Sequence, residues 1–303
     1  MTEFFQQLIN GLALGAIYAL IALGYTMVYG VLRFINFAHG DVFMLGAFAG
    51  FFLAPMVNRF LPPQSYAGGI LVLILAMAIC ALIGILIEIL AYRPLRKRPK
   101  LTVLITAIGV SLFIEYTCQH DGVFGAAPRK FPDLIPVSTW HIGQIVISST
   151  QVIVFVTTVL LLLALRFIVQ KTRVGTAMRA VSFNEQAAAL MGVNINSIIS
   201  FTFGLGSALA AAGGILFAMN YASIDPLMGV QTGLKAFVAA VFGGIGNLPG
   251  AALGGLLIGV IETFAGGIPG LSNYRDGIAF AILITVLIFR PAGLLGRVQT
   301  EKV

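Results

Sequence analysis

Charge is what this chain has least of. Asp, Glu, Lys and Arg make up 10% of its 303 residues, against about 25% in soluble domains. With 59% hydrophobic residues, gathered in repeated runs near the length that crosses a bilayer, this excludes a soluble globular class. It implies an all-α polytopic membrane protein. Cysteine is nearly absent too: Cys80 and Cys118 both fall in apolar segments, so no disulfide framework and no metal-ligand spacing is available. No glycine-rich stretch is followed by the Lys and Ser/Thr of a nucleotide P-loop. No His-Glu-x-x-His, Ser/Lys or paired-aspartate arrangement is placed for intramembrane hydrolysis, which argues against an enzyme. A buried array of acids and bases, as a proton- or sodium-coupled carrier would need, is also missing from the pattern. The opening residues Met1-Thr-Glu3-Phe-Phe lack a basic region and a small-residue cleavage site, so the first span is expected to be retained.

What is present is a series of nine apolar segments, at about 8–31, 42–57, 68–91, 101–118, 150–170, 197–219, 232–247, 249–267 and 277–293. The segments 42–57 and 232–247 are short, so eight to nine spans are expected. The net charge of +7 sits in a few loops rather than along a nucleic-acid-binding face. Arg93, Arg96, Lys97, Arg98 and Lys100 form one cluster, Arg166, Lys171, Arg173 and Arg179 a second, and Arg290, Arg297 and Lys302 a third. Basic loops face the cytoplasm. Counting spans between clusters then puts all three there, the C-terminus with them and the N-terminus outside.

On that topology the stretch from Gln119 to Ser149 is external. It is long for a connector and contains Trp140, the only tryptophan, so it is a candidate contact surface for an external partner. Val137 to Ile147 mixes β-branched residues with Gly143, the pattern of a small hairpin. Two Gly-containing breaks interrupt the apolar pattern. One runs from Arg33 through Asn36 and His39 to Asp41; the other runs from Phe242 through Asn247 to Gly250. Paired breaks in two halves suggest an internal repeat with discontinuous helices, which makes Asn36, His39, Asp41 and Asn247 candidates for lining a translocation path. The same spacing fits tight turns with helix caps. Glu88 lies little more than one turn before Arg93 and is expected either to snorkel or to pair at the cytoplasmic edge. Glu262 is the deepest carboxylate, and Lys235 is placed to reach the interface. Small residues four apart, such as Gly11 and Gly15 or Gly255 and Gly259, let helices approach closely.

The polar island of the chain is Lys171 to Asn196. A short helix is expected within 184–192, capped by Ser182 or Asn184, with Glu185 in its first turn and Gly192 as its stop. Such a helix lying across the cytoplasmic face suits a socket on a soluble partner; it equally fits a loop that only sets topology.

Several blocks carry a resemblance. Gly24-Tyr-Thr-Met-Val-Tyr-Gly30 leads into Ile35-Asn36-Phe-Ala-His39-Gly40-Asp41. Ala91-Tyr92-Arg93-Pro94-Leu95-Arg96, Gly175 to Gly192, Lys235 to Gly250 and Arg290-Pro291-Ala-Gly293 follow. Together they resemble the LivH-type permeases, subunits of bacterial ABC importers for branched-chain amino acids. Importers of this kind dock their ATPases through a Glu-Ala-Ala-x-x-x-Gly signature. Gln186-Ala187-Ala188-Ala-Leu-Met-Gly192 matches it with Gln in place of Glu and without the downstream Leu-Pro. The resemblance implies that Arg179, Glu185, Gln186, Ala187, Ala188 and Gly192 couple to an ATPase. It implies an inner-membrane heterodimer with a LivM-like permease, LivG- and LivF-like ATPases that hydrolyse the ATP, and a periplasmic substrate-binding protein, with no cofactor bound by this chain. Relatives in the same superfamily carry urea, short amides or other amino acids. A stand-alone channel or secondary carrier, needing no ATPase, is the competing class.

Overall fold

A computed structural model describes residues 2–96, 98–270 and 272–296. Lys97, Arg297 and Lys302, named in the basic clusters, lie outside the described residues. Eleven α-helices carry the chain: α1 (Thr2–Leu32), α2 (His39–Val57), α3 (Tyr66–Ile87), α4 (Lys100–Gln119), α5 (Ser149–Lys171), α6 (Arg173–Phe183), α7 (Glu185–Leu190), α8 (Ile195–Tyr221), α9 (Met228–Gly243), α10 (Leu248–Gly267) and α11 (Arg275–Phe289). Among the described residues, eight helices are long and apolar enough to cross a membrane. One of these spans continues α3 to Leu95, and another takes in the short turn before α11. At 16 residues, α9 is about 24 Å long and falls short of the roughly 30 Å hydrocarbon layer. The expected segment 232–247 is thus a short helix, 228–243, followed by a turn.

Local chemistry starts and stops these helices. Ser65, Thr172, Asn184, Asn194 and Asn247 each accept a backbone N–H of the first turn they cap. Ser148 and Gln151 form a reciprocal capping box at α5. A π-helical turn, Glu88–Tyr92, follows α3. The extra residue it accommodates directs both of its polar ends, Glu88 and Tyr92, inward; each is fully buried.

Two ends of the bundle can be told apart. One carries the hairpin of β1 (Thr139–Ile142) and β2 (Ile145–Ser148), pinned to α1 because the Gln6 side chain bonds both the N–H and the C=O of Val146 at 2.8 and 2.9 Å. The expected hairpin is therefore present, with Gly143 at φ +64° in its turn. The other end carries Arg33, Arg93, Arg96, Lys171, Arg173, Arg179 and Arg290, together with α6 and α7.

The bundle is an inverted repeat. α1 packs along α10 as α8 packs along α3, α2 lies on α8 as α9 lies on α1, and α2 meets α9 at the centre. α1 runs toward the basic end and α8 away from it. The break after α1 has a counterpart after α8. Arg33 and Ala222, which open the two breaks, both have φ +54°. The next helices begin with matching bonds, His39 N–H to Asn36 O and Met228 N–H to Asp225 O, each 3.2 Å. Sequence pairing of the 33–41 break with 242–250 is corrected here: the structural partner is 222–229. The turn 244–247 corresponds to that before α3, where Ser65 caps as Asn247 does. The Asn/Gly similarity that suggested the other pairing is the chemistry of helix starts, which recurs wherever a helix begins.

Glycine decides how closely the halves approach. A Cβ on Gly259 would lie 2.2 Å from the Gly15 nitrogen, and one on Gly229 would lie 2.4 Å from the Gly40 oxygen. Only hydrogen fits at these crossings, so backbone meets backbone where α1 crosses α10 and where α2 crosses α9.

Candidate functional site

Three places hold polar groups that packing alone does not require. The first is the basic end. Thr172 caps α6, and its hydroxyl donates back to Ile168 O at 2.6 Å. Gly175 lies so close to α5 that a Cβ there would come within 2.2 Å of Ile168 O. Arg179 donates to Val169 O and at 3.3 Å to Thr176 Oγ1, tying α6 to the end of α5. Ser182 donates to Gly30 O, and Arg33 donates to Ser182 O at 3.3 Å, tying the same segment to the end of α1. The island is two helices, α6 and α7, rather than the single one expected. Asn184 is the cap between them, accepting the Ala187 N–H at 2.9 Å. Glu185, Gln186 and Ala187 are exposed, whereas Ala188 is buried. Gly192 ends the turn at φ +84°, its N–H on Ala189 O.

Around this frame stand Phe183, Leu190 and Met191, which are 90%, 88% and 85% exposed. Three large apolar side chains thus stand together, exposed, on the polar, basic end of the bundle, a grouping of the kind that marks contact surfaces. Motif reading passed over Phe183. Its signal was an aromatic inside the polar island. Beneath this surface, Glu88 accepts from Arg93 at 2.8 Å, from Ser200 at 2.6 Å and from Arg96, while Arg96 donates at 2.9 Å to Asn196. Burial pulls the Arg96 guanidinium below its ordinary value against the attraction of Glu88. The Glu88–Arg93 pair is thus one edge of a network joining the π-turn to the start of α8.

The second place is the break between α1 and α2. His39 abuts Gly24, eight residues before α1 ends, so α2 starts about 12 Å inside the end of its neighbour. Asn36, His39 and Asp41 are 4%, 1% and 1% exposed. Asn36 accepts from Tyr92 OH at 2.6 Å. The His39 ring lies 4.6 Å from that of Tyr25, and its Nε2 has no hydrogen-bond partner. Asp41 accepts from Ser111 of α4 at 2.5 Å. Of these residues Tyr25, Asp41 and Ser111 border, together with α9, a cavity of about 140 Å³; Asn36 and His39 do not line it. Asn247 is not part of this group. It caps α10 and donates at 2.7 Å to Leu295 O, in the turn at the basic end. Trp140 is also elsewhere, half-exposed on β1.

The third place is a buried ion cluster between α9, α10 and α11. Lys235 Nζ lies 2.7 Å from Glu262 Oε1 and 2.8 Å from Asp276 Oδ1. Tyr18 of α1 donates to Glu262 at 2.8 Å. Arg275 Nε stands 3.9 Å from Glu262. Lys235 therefore turns inward to a carboxylate instead of reaching the interface. An array of buried charge does exist, assembled from four helices too far apart in sequence for the pattern to show it.

An inverted helical repeat with helices that begin inside the bundle is the architecture of a membrane transporter of the permease type. The chain belongs to the family described as branched-chain amino acid transport system / permease component, which matches residues 7–287. It is 43% identical to the high-affinity branched-chain amino acid transport system permease protein BraD of Pseudomonas aeruginosa, over 99% of this chain and 98% of that one. It is 40% identical to LivH of Salmonella typhimurium over the same shares. A shorter similarity, 32% over 40% of this chain and 39% of the other, reaches the ribose import permease protein RbsC of Haemophilus influenzae. No solved structure matches.

Proposed function

We propose that this chain is the membrane-spanning permease subunit of an ATP-driven importer for branched-chain amino acids in a bacterial inner membrane. The basic end lies in the cytoplasm and the hairpin end outside, because loops rich in Lys and Arg are retained on the cytoplasmic side. The observation that carries the reading is the α6–α7 surface. It is a capped helix pair braced on α1 and α5, presenting Phe183, Leu190 and Met191 outward. ATPase chains dock there and a second, LivM-like permease completes the pathway. The hydrolytic chemistry belongs to the LivG- and LivF-like partners. ATP binding moves the docked pair; through Ser182 on Gly30 and Arg33 on Ser182 the pull reaches α1 and the break at Asn36, His39 and Asp41. The bundle passes between two states whose balance the ATPases bias.

The test is Ala188→Asp and Gly192→Trp in the assembled complex. Each variant reaches the membrane, because both positions lie outside the bilayer spans. Each loses substrate-stimulated ATP hydrolysis by at least about tenfold, the equivalent of about 1.4 kcal/mol of coupling. Normal stimulation in both variants rules out the docking role. Purification without any ATPase chain points instead to a stand-alone channel or carrier.

A further inference from the structure

We propose that the cavity between α2, α4 and α9 is a transit site for an amino acid, in which Asp41, Glu115 and Ser111 receive the α-ammonium group. This rests on the transport reading above.

The cavity sits where the two halves of the inverted repeat meet, beside the Gly40–Gly229 crossing. Its polar side is made by three groups. Ser111 Oγ lies 2.5 Å from Asp41 Oδ2 and 3.2 Å from Glu115 Oε1. A serine hydroxyl has one proton to donate, so it satisfies one of these carboxyl oxygens and not both. The other is open to a further donor, and an ammonium group supplies three donors and one positive charge.

A second observation points to a ligand independently of the acids. Tyr25 is only 4% exposed and lines the cavity. Among the described residues its hydroxyl donates no hydrogen bond, although a buried hydroxyl ordinarily finds an acceptor. A zwitterion's carboxylate is such an acceptor. The first turn of α9, at Gly229 and Val230, adds the positive end of a helix dipole on that side.

The remaining wall is apolar, with Phe37, Val230, Leu234 and Phe237. A volume of about 140 Å³ is close to the roughly 150 Å³ of an engineered apolar cavity that admits benzene. A branched aliphatic side chain fits beside the polar groups, and a large polar one does not. The arrangement therefore selects a zwitterion with an apolar side chain by its charge at one end and its bulk at the other.

The experiment uses the whole importer, reconstituted with its partner permease, ATPases and binding protein. Photo-leucine, a diazirine analogue, is the probe, and crosslinked positions are read by mass spectrometry. Crosslinks are expected on Phe37, Val230, Leu234 or Phe237. Leucine should compete them away, while 4-methylpentanoate, which keeps the side chain and carboxylate but lacks the ammonium, should not. Glu115→Gln should lower both crosslink yield and leucine uptake about tenfold while co-purifying with the partners. Asp41→Asn is the second variant should that complex fail to assemble. If the wild type transports leucine but crosslinks elsewhere, or the amine-free acid competes equally, or both variants behave as wild type, the assignment is overturned and the transport reading stands. Absence of ATP-driven leucine uptake by the wild type overturns both.

Discussion

Lys235 shows how one residue's role follows from its partners. Its ammonium is held between Glu262 and Asp276, only 9% of its side chain reaches solvent, and Glu262 is further bonded by Tyr18. Removing one member of a buried pair strands the other, at a cost of about 3–5 kcal/mol. Lys235→Met should therefore lower the thermal stability of the detergent-solubilised complex markedly. Adding Glu262→Gln should recover much of the loss, because it removes the stranded charge while leaving an acceptor for Tyr18. Arg275→Met should do far less: its side chain is 57% exposed and its nearest approach to Glu262 is 3.9 Å. A melting series over the four proteins decides this; equal losses for Lys235→Met and Arg275→Met would refute it. The sequence singled out Lys235 and Glu262 one at a time. Their meeting was not legible, because it depends on α9 and α10 packing antiparallel.

At the scale of elements, small-residue spacing carried real information. Gly11, Gly15, Gly255 and Gly259 were readable as contact points, and the structure places them on one another along α1 and α10. Gly259→Leu puts a side chain where only 2.2 Å separates its Cβ from the Gly15 nitrogen. The two central helices must then part, and the variant should fail to accumulate as a folded membrane protein; a yield and melting point like those of the wild type would count against the crossing. The hairpin was legible as well, but not its attachment through Gln6 to α1. On the topology proposed here that attachment holds Trp140 at the outer face. A cysteine at position 140 should accordingly crosslink to the binding protein on intact cells. Labelling from the cytoplasmic side would reverse the topology.

At the scale of the whole molecule, the two breaks and the two halves give the clearest division between what sequence and tertiary structure each settle. Cysteines at 36 and 247 should behave differently. Position 36 lies buried in the break between α1 and α2, against Tyr92, so its reactivity with small thiol reagents should change with the ATPase state. Position 247 lies in a turn held to Leu295, so its reactivity should not. Equal responses at both sites would return the breaks to the same footing. The amino-acid sequence by itself determined that this is a polytopic helical membrane protein, about where its spans and basic loops fall, and which family it resembles. Each of these is written in composition, run length or contiguous motif, and needs no knowledge of distant neighbours. The inverted pairing of α1–α3 with α8–α10, the Lys235 cluster, the exposed Phe183, Leu190 and Met191 surface as a unit and the cavity joining Asp41 to Glu115 were decided only by the tertiary structure. The repeat keeps backbone turns such as those at Arg33 and Ala222 rather than side chains, and the Lys235 cluster and the Asp41–Glu115 cavity join groups that lie on different helices.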